Sequence, residues 1–298
     1  MSLLDFLYGE RLAMGEAARR GSPGGTAQLT DGVTYYEMTG GKGTPLILIH
    51  GFSVPSFIWD RNFEVITEAG FRVLRYDLFG RGYSDRPKAR NDKALFVRQL
   101  VDLLDALKIE QADLVSLSMG AVIAAEFAFR FPKRVRKLAF IDPAGFELGL
   151  PFAFRLLYIP GLGELLLGIL GLLGSRSLLQ SMLNDFYEPT EEVREYFVPR
   201  YLEQMKYQGF RRSLLSTLRA RMLEEDITLF RRLGELQKQV LLIWGKTDPT
   251  VPFRYSEMFK KLVPQTEFHA IDKAGHIPHF ERPEVVNPLL VRFLSLGS

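Results

Sequence analysis

The chain has 298 residues, 47% of them hydrophobic, and its 38 basic and 35 acidic side chains leave a net charge of only +3, which gives no reason to expect a nucleic-acid partner. With no cysteine it excludes disulfides, thiolate catalysis and cysteine-ligated metal, while leaving the compartment open. No Gly-x-Gly-x-x-Gly or His-Glu-x-x-His is present and the four histidines are scattered, so neither a cofactor nor a metal is expected.

Residues 1–22 read as a leading helix that ends at the flexible Gly21-Ser22-Pro23-Gly24-Gly25. This segment lacks a basic start and carries Asp5 among its apolar residues, so it does not read as a secretory signal and is expected to be retained. Asp31-Gly32 marks a hairpin turn between Ala27-Gln28-Leu29 and Val33-Thr34-Tyr35-Tyr36-Glu37. The continuous apolar run Pro45-Leu46-Ile47-Leu48-Ile49 is of the kind covered on both faces of a parallel sheet, and it leads into His50-Gly51-Phe52. A second buried strand, Ala112-Asp113-Leu114-Val115-Ser116-Leu117, passes into a helix over 121–128 with no loop between them. Ser118 occupies that junction. So tight a turn strains the serine, exposes its Oγ above the sheet and aims the first helical N–H groups at the same point. The usual pattern is Gly-x-Ser-x-Gly, and Ser116 stands in for its first glycine; it is small enough for strand and helix to pack closely around Gly120.

A serine hydroxyl is a weak nucleophile near neutral pH, so it needs a histidine to take its proton and a carboxylate to orient that histidine. Both are expected downstream, in the order Ser, Asp, His. The strand Gln239-Val240-Leu241-Leu242-Ile243-Trp244-Gly245 is followed by Asp248 on a proline-stiffened loop, and a strand starting at Thr266 is followed by Gly275-His276. Ser118, Asp248 and His276 are therefore the expected catalytic set. Asp142, also at a strand end, is the rival acid; His279 is the rival base, and His269 lies inside a strand, where a structural role is expected. An oxyanion requires two N–H donors, and the backbone groups of Phe52 and Met119 are the candidates, with Gly51 and His50 shaping the loop that presents the first.

Strand-helix alternation stops between residues 143 and 233, which read as an inserted helical cap. The core is expected over 23–142 and 234–298. From Phe152 to Leu173 the cap is dense in leucine, but Arg155, Pro160 and Glu164 interrupt it, short of the roughly 20 apolar residues that a membrane span needs. A lid that roofs the site and supplies an acyl pocket is the expectation. Thr190 is positioned to cap a helix that opens with Glu191 and Glu192.

Taken in order, His50-Gly51-Phe52, the Asp77-to-Asp85 loop, the Ser118 elbow, Asp248-Pro249-Thr250-Val251-Pro252 and Gly275-His276 through Glu284 resemble the α/β-hydrolase family of serine esterases and lipases, of the monoacylglycerol lipase type. That resemblance implies an α/β-hydrolase fold, a mostly parallel sheet flanked by helices with a helical lid. It further implies that the Asp77-to-Asp85 loop is structural. A serine nucleophile rather than an aspartate separates the chain from the related epoxide hydrolases and haloalkane dehalogenases.

The main expectation is a carboxylic ester hydrolase for apolar acyl esters, monoacylglycerols included, acting on a small-molecule ester through an acyl-enzyme. The alternatives are a hydrolase that uses the same three residues on a carbon-carbon bond of a ring-fission product or on a peroxy acid, and a non-catalytic ligand receptor on the same fold. No cluster of polar cap residues can be assigned to a dicarboxylate. A cytoplasmic protein is expected, with the cap or leading helix as the surface that would meet lipid.

Overall fold

A computed structural model describes residues 9–41, 43–147, 155–172 and 182–296. Eight strands form one sheet: β1 Gly25–Leu29, β2 Gly32–Met38, β3 Pro45–Ile49, β4 Arg72–Tyr76, β5 Ala112–Leu117, β6 Val135–Ile141, β7 Gln239–Gly245 and β8 Thr266–Ile271, in the spatial order β1-β2-β4-β3-β5-β6-β7-β8. The β1–β2 hairpin and its junction with β4 are antiparallel, and every later pairing is parallel. Successive residues of the central strands face opposite sides. Ile47 and Ile49 join one apolar cluster and Leu46 and Leu48 the other, which is why β3 is apolar throughout instead of alternating.

Helices α1 Asp60–Glu68, α2 Lys93–Ala106 and α3 Met119–Arg130 belong to the first part of the core. The Asp92 side chain starts α2 by accepting the Leu95 N–H at 3.0 Å. Between β6 and β7 come α4 Leu162–Leu172, α5 Glu191–Gln204, α6 Phe210–Arg219 and α7 Ile227–Gly234; α8 Tyr255–Leu262, α9 Pro278–Glu281 and α10 Pro283–Ser295 follow. The insertion leaves the sheet intact, because Lys137 through Ile141 pair in register with Gln239 through Ile243. Thr190 Oγ1 accepts the Val193 N–H at 3.2 Å and so caps α5. An edge-on aromatic group made by Phe186, Phe197 and Phe280 packs the cap against the segment that carries His276, with centroids 5.3–6.2 Å apart.

The leading segment differs from the expected helix. Residues 1–8 lie outside the described residues; over 9–22 the helix is limited to the single turn Glu16–Arg19. The physical reason is a competing set of partners. Leu12 donates its N–H to the Lys206 carbonyl and accepts the Gln208 N–H, at 2.9 and 2.8 Å, while buried Glu10 takes the N–H groups of Gly209 and Arg211. Backbone spent on the cap cannot close helical turns. Of the apolar stretch Phe152 to Leu173, residues 152–154 and 173 lie outside the described residues, and Ile159, Leu165 and Ile169 are exposed. Among the described residues no helix is long and apolar enough to cross a membrane.

Candidate active site

Strands β4 and β5 lie on opposite sides of β3, so the chain reverses its direction of winding there and opens a crevice above the strand ends. The site is built at that crevice. Ser118 has φ 51° and ψ −119°, a conformation that costs on the order of 1–3 kcal/mol and persists only where its surroundings dictate it. Here its N–H donates to Ile141 O at 3.0 Å, and its carbonyl accepts the N–H groups of Ala121 and Ala144 at 2.9 and 3.1 Å. The close approach needs Gly120, where a Cβ would lie 2.6 Å from Ile49 O and 2.7 Å from His50 O. Buried Ser116 takes the place of a glycine at little cost, since its Oγ reaches Ala139 O at 3.3 Å.

The end of β3 supplies the opposite wall. A Cβ on Gly51 would come within 3.3 Å of the Ser118 Cβ, so the loop passes directly beside the serine. Among the described residues, neither the Phe52 N–H nor the Met119 N–H has an acceptor, as two donors held for an oxyanion require. The buried ring of His50 accepts the Leu78 N–H on Nε2 and donates from Nδ1 to Gly51 O, each at 2.9 Å; burial, and then Arg81, pull it down to about 3, so it stays neutral. Arg81 anchors the same loop by donating from Nε to Phe52 O at 2.7 Å, and burial lowers this guanidinium to about 9. Gln204 of α5 holds Ser53 O at 2.8 Å.

His276 and Asp248 meet beyond the C-terminal ends of β7 and β8. His276 Nδ1 donates to Asp248 Oδ2 at 2.8 Å, while Asp248 Oδ1 accepts the N–H groups of Thr250 and Val251 at 2.7 and 2.9 Å. Three donors surround the carboxylate, and the imidazole is fixed in the tautomer that leaves Nε2 free to accept a proton. Burial alone would lower the imidazole; the Asp248 carboxylate, with Asp185 and Glu281 beyond it, outweighs that and raises it above its ordinary value. The His276 N–H donates to Asp185 O at 2.7 Å, and Glu281 accepts the N–H groups of Gly275 and Tyr187 at 2.7 and 2.6 Å.

The rival residues have other settings. Asp142 is fully buried and accepts the Gly245 N–H at 3.0 Å, but the hydrogen bond to the imidazole belongs to Asp248. His279 is buried against the Trp59 ring at 4.4 Å, and His269 pairs with Glu267 on β8. Asp142, Asp248 and His276 each offer a ligand atom, all within 4.8 Å of one another, a spacing that would suit a cation. However, His276 Nδ1 and Asp248 are already spent on each other. Arg81, Asp185 and Glu281 went unassigned in the sequence: Glu281 stands in the quoted histidine motif without a role, and nothing around Asp185 in Met182-Leu183-Asn184-Asp185-Phe186 signals that it would reach His276.

The chain belongs to the alpha/beta hydrolase fold family, which it matches over residues 44–283. It is 31% identical over 272 residues to a 2-hydroxy-6-oxononadienedioate/2-hydroxy-6-oxononatrienedioate hydrolase of Paraburkholderia phymatum, covering 88% of this chain and 90% of that one. A 2-hydroxy-6-oxo-6-phenylhexa-2,4-dienoate hydrolase of Comamonas testosteroni is 30% identical over 282 residues, covering 89% and 92%. Among solved structures, a meta-cleavage product hydrolase of Pseudomonas fluorescens IP01 superposes with a TM-score of 0.74 at 25% identity, over 92% of this chain and 98% of that one.

These relatives overturn the ester-hydrolase and monoacylglycerol-lipase expectation. They are named for 2-hydroxy-6-oxo-dienoates, which matches the carbon-carbon alternative. The error has a physical cause. Serine, histidine, aspartate and two N–H donors serve either reaction, so the ester expectation turned on the leucine-rich cap and on the want of a polar cluster there for a dicarboxylate, and apolar side chains do not distinguish an alkyl chain from an aryl ketone.

Proposed function

We propose that the protein hydrolyses the carbon-carbon bond beside the 6-keto group of a 2-hydroxy-6-oxo-2,4-dienoate. The observation that carries this reading is the shared naming of relatives 30–31% identical over nearly nine-tenths of the chain. The site chemistry supports it. Transfer of the 2-hydroxyl proton to C5, assigned to His276, converts the dienol to a 2,6-diketone in which C5 can leave as a stabilised carbanion. Ser118 Oγ then adds to C6 as His276 Nε2 takes its proton, with Asp248 orienting the ring and the N–H groups of Phe52 and Met119 holding the oxyanion. When C5–C6 breaks, the electron pair is delocalised through C3 and C4 to the C2 oxygen, which takes the proton from His276 and leaves as a 2-hydroxy-2,4-dienoate. Water, deprotonated by His276, releases the C6 fragment from Ser118 as a carboxylic acid.

An apolar or aromatic group on C6 is favoured over a second carboxylate by the composition of α4, Leu-Gly-Glu-Leu-Leu-Leu-Gly-Ile-Leu-Gly-Leu, in which Glu164 is the one charge. The test is to follow loss of the dienol absorbance with 2-hydroxy-6-oxo-6-phenylhexa-2,4-dienoate and with 2-hydroxy-6-oxononadienedioate, identifying both products. Turnover of the phenyl compound with the higher kcat/KM is expected. If neither compound is cleaved by enzyme whose Ser118 reacts with a fluorophosphonate, the proposal is wrong.

A further inference from the structure

Asp142 is a second carboxyl at the site with no role so far. It follows β6 directly, has φ 42° and is fully buried. Its N–H donates to Ile243 O and its Oδ1 accepts the Gly245 N–H, each at 3.0 Å, so it sits across the end of β7 from Asp248. Oδ2 is also buried, and read as an acceptor it has no donor. The neighbouring acid is Asp248: an oxygen of each carboxyl and a ring nitrogen of His276 lie within 4.8 Å of one another. Two ionised carboxylates in buried contact repel strongly, and among the described residues no lysine or arginine bonds to either one to offset this. Asp248 has three donors and Asp142 has one, so the anion is Asp248 and the proton resides on Asp142. Burial first, and the Asp248 charge second, push the Asp142 carboxyl well above the usual carboxylate range. A proton on Oδ2 converts an unsatisfied acceptor into a donor aimed at Asp248.

The other titratable groups around His276 are already committed. Asp185 accepts the Thr250 hydroxyl, Glu281 is held by two backbone N–H groups, and His279 is a buried ring pulled down to about 3 by burial and by His276. Among the described acids, Asp142 alone has a buried side-chain oxygen without a hydrogen-bond partner.

We infer that Asp142 is a neutral carboxylic acid that donates a hydrogen bond to Asp248, a positioning residue that fixes this carboxylate and tempers its pull on the imidazole proton of His276. The inference rests on Ser118, His276 and Asp248 acting together as proposed above. Nothing in the proton placement depends on the natural substrate.

Asp142→Asn keeps the geometry: the amide oxygen can accept the Gly245 N–H while its NH₂ donates to Asp248. Asp142→Ala removes the donor. The rate of Ser118 labelling by a fluorophosphonate as a function of pH reads the proton-accepting form of His276 without calling on the dienoate. We expect Asp142→Asn to retain the acid limb of the wild-type profile with a rate loss of no more than about threefold, and Asp142→Ala to move that limb up by about one pH unit, the scale of one lost charge-assisted hydrogen bond. A limb that falls by about a unit in Asp142→Asn would show Asp142 ionised in the native protein, and an unmoved limb in Asp142→Ala would reduce the residue to packing; either result overturns the inference. Should Asp142→Ala fail to fold, the infrared difference between wild type and Asp142→Asn at neutral pH decides. A protonated-carboxyl C=O band in the wild type is required, and its absence is fatal. Wild-type protein that does not label at all would count against Ser118 as the nucleophile, and the infrared band would still judge Asp142.

Discussion

Gly120→Ala is the sharpest perturbation of the serine turn. The added Cβ would lie 2.6 Å from Ile49 O and 2.7 Å from His50 O, against 3.4 Å at the near end of ordinary contact, so α3 must retreat by up to about 0.8 Å. Strand β3 cannot yield instead, because β4 and β5 pair with it on both sides. Retreat of α3 carries Ser118 and Met119 away from Phe52, which stays with β3, and widens the gap between the two N–H donors. Overpacking of this kind costs roughly 1–3 kcal/mol, and misplacement by about 1 Å costs about 10²-fold in rate. Thermal unfolding should therefore show a Tm lowered by about 2–9 °C, at roughly 2–3 °C per kcal/mol for a chain of this size. Both the kcat/KM for the phenyl dienoate and the rate of fluorophosphonate labelling should fall by about 30- to 100-fold. Ser116→Gly, which adds no atom beside the elbow, is the control and should change the rate by less than about threefold. A Gly120→Ala protein with a lowered Tm but the full labelling rate would refute the argument that this close approach sets the reactive geometry.

Two further outcomes follow from the site. Ser118→Ala and His276→Ala should each remove about 10⁴- to 10⁶-fold of kcat, with the double variant little worse than either single, and Asp248→Asn should cost several orders of magnitude by favouring the wrong tautomer; additive losses in the double variant would mean that the serine and histidine do not act as one unit. Glu281 is the pH-sensitive tie between the histidine loop and the cap: burial raises it from about 4.5 to about 7, against the pull of the two N–H groups it accepts. Because the folded state binds its proton more tightly, its contribution to stability is full below pH 4.5 and is lost as pH rises through 7, a swing on the order of 3 kcal/mol. Urea unfolding at a series of pH values should show that decline in the wild type and a flatter profile in Glu281→Gln, and equal slopes would disprove it.

Much of the architecture was decided by local chemistry that sequence carries openly. The unbroken apolar run of β3, the Asp31-Gly32 hairpin and the Thr190 cap follow from side-chain periodicity and turn preferences, each of which acts over a few residues. The residues proposed for the site are marked in the sequence in the same local way, since Ser118, Asp248 and His276 each follow a strand at a recognisable turn. What sequence alone could not resolve was contact between distant segments. Asp142 and Asp248 follow adjacent strands, and only the fold of the 246–251 turn puts an oxygen of Asp248 on the imidazole and leaves Asp142 behind it. Leading residues with helical periodicity became a strap because the 206–211 backbone offered them other partners. Nor do the leucines between β6 and β7 specify a substrate, because burial of apolar area carries no direction, whereas hydrogen bonds and charge at the strand ends do.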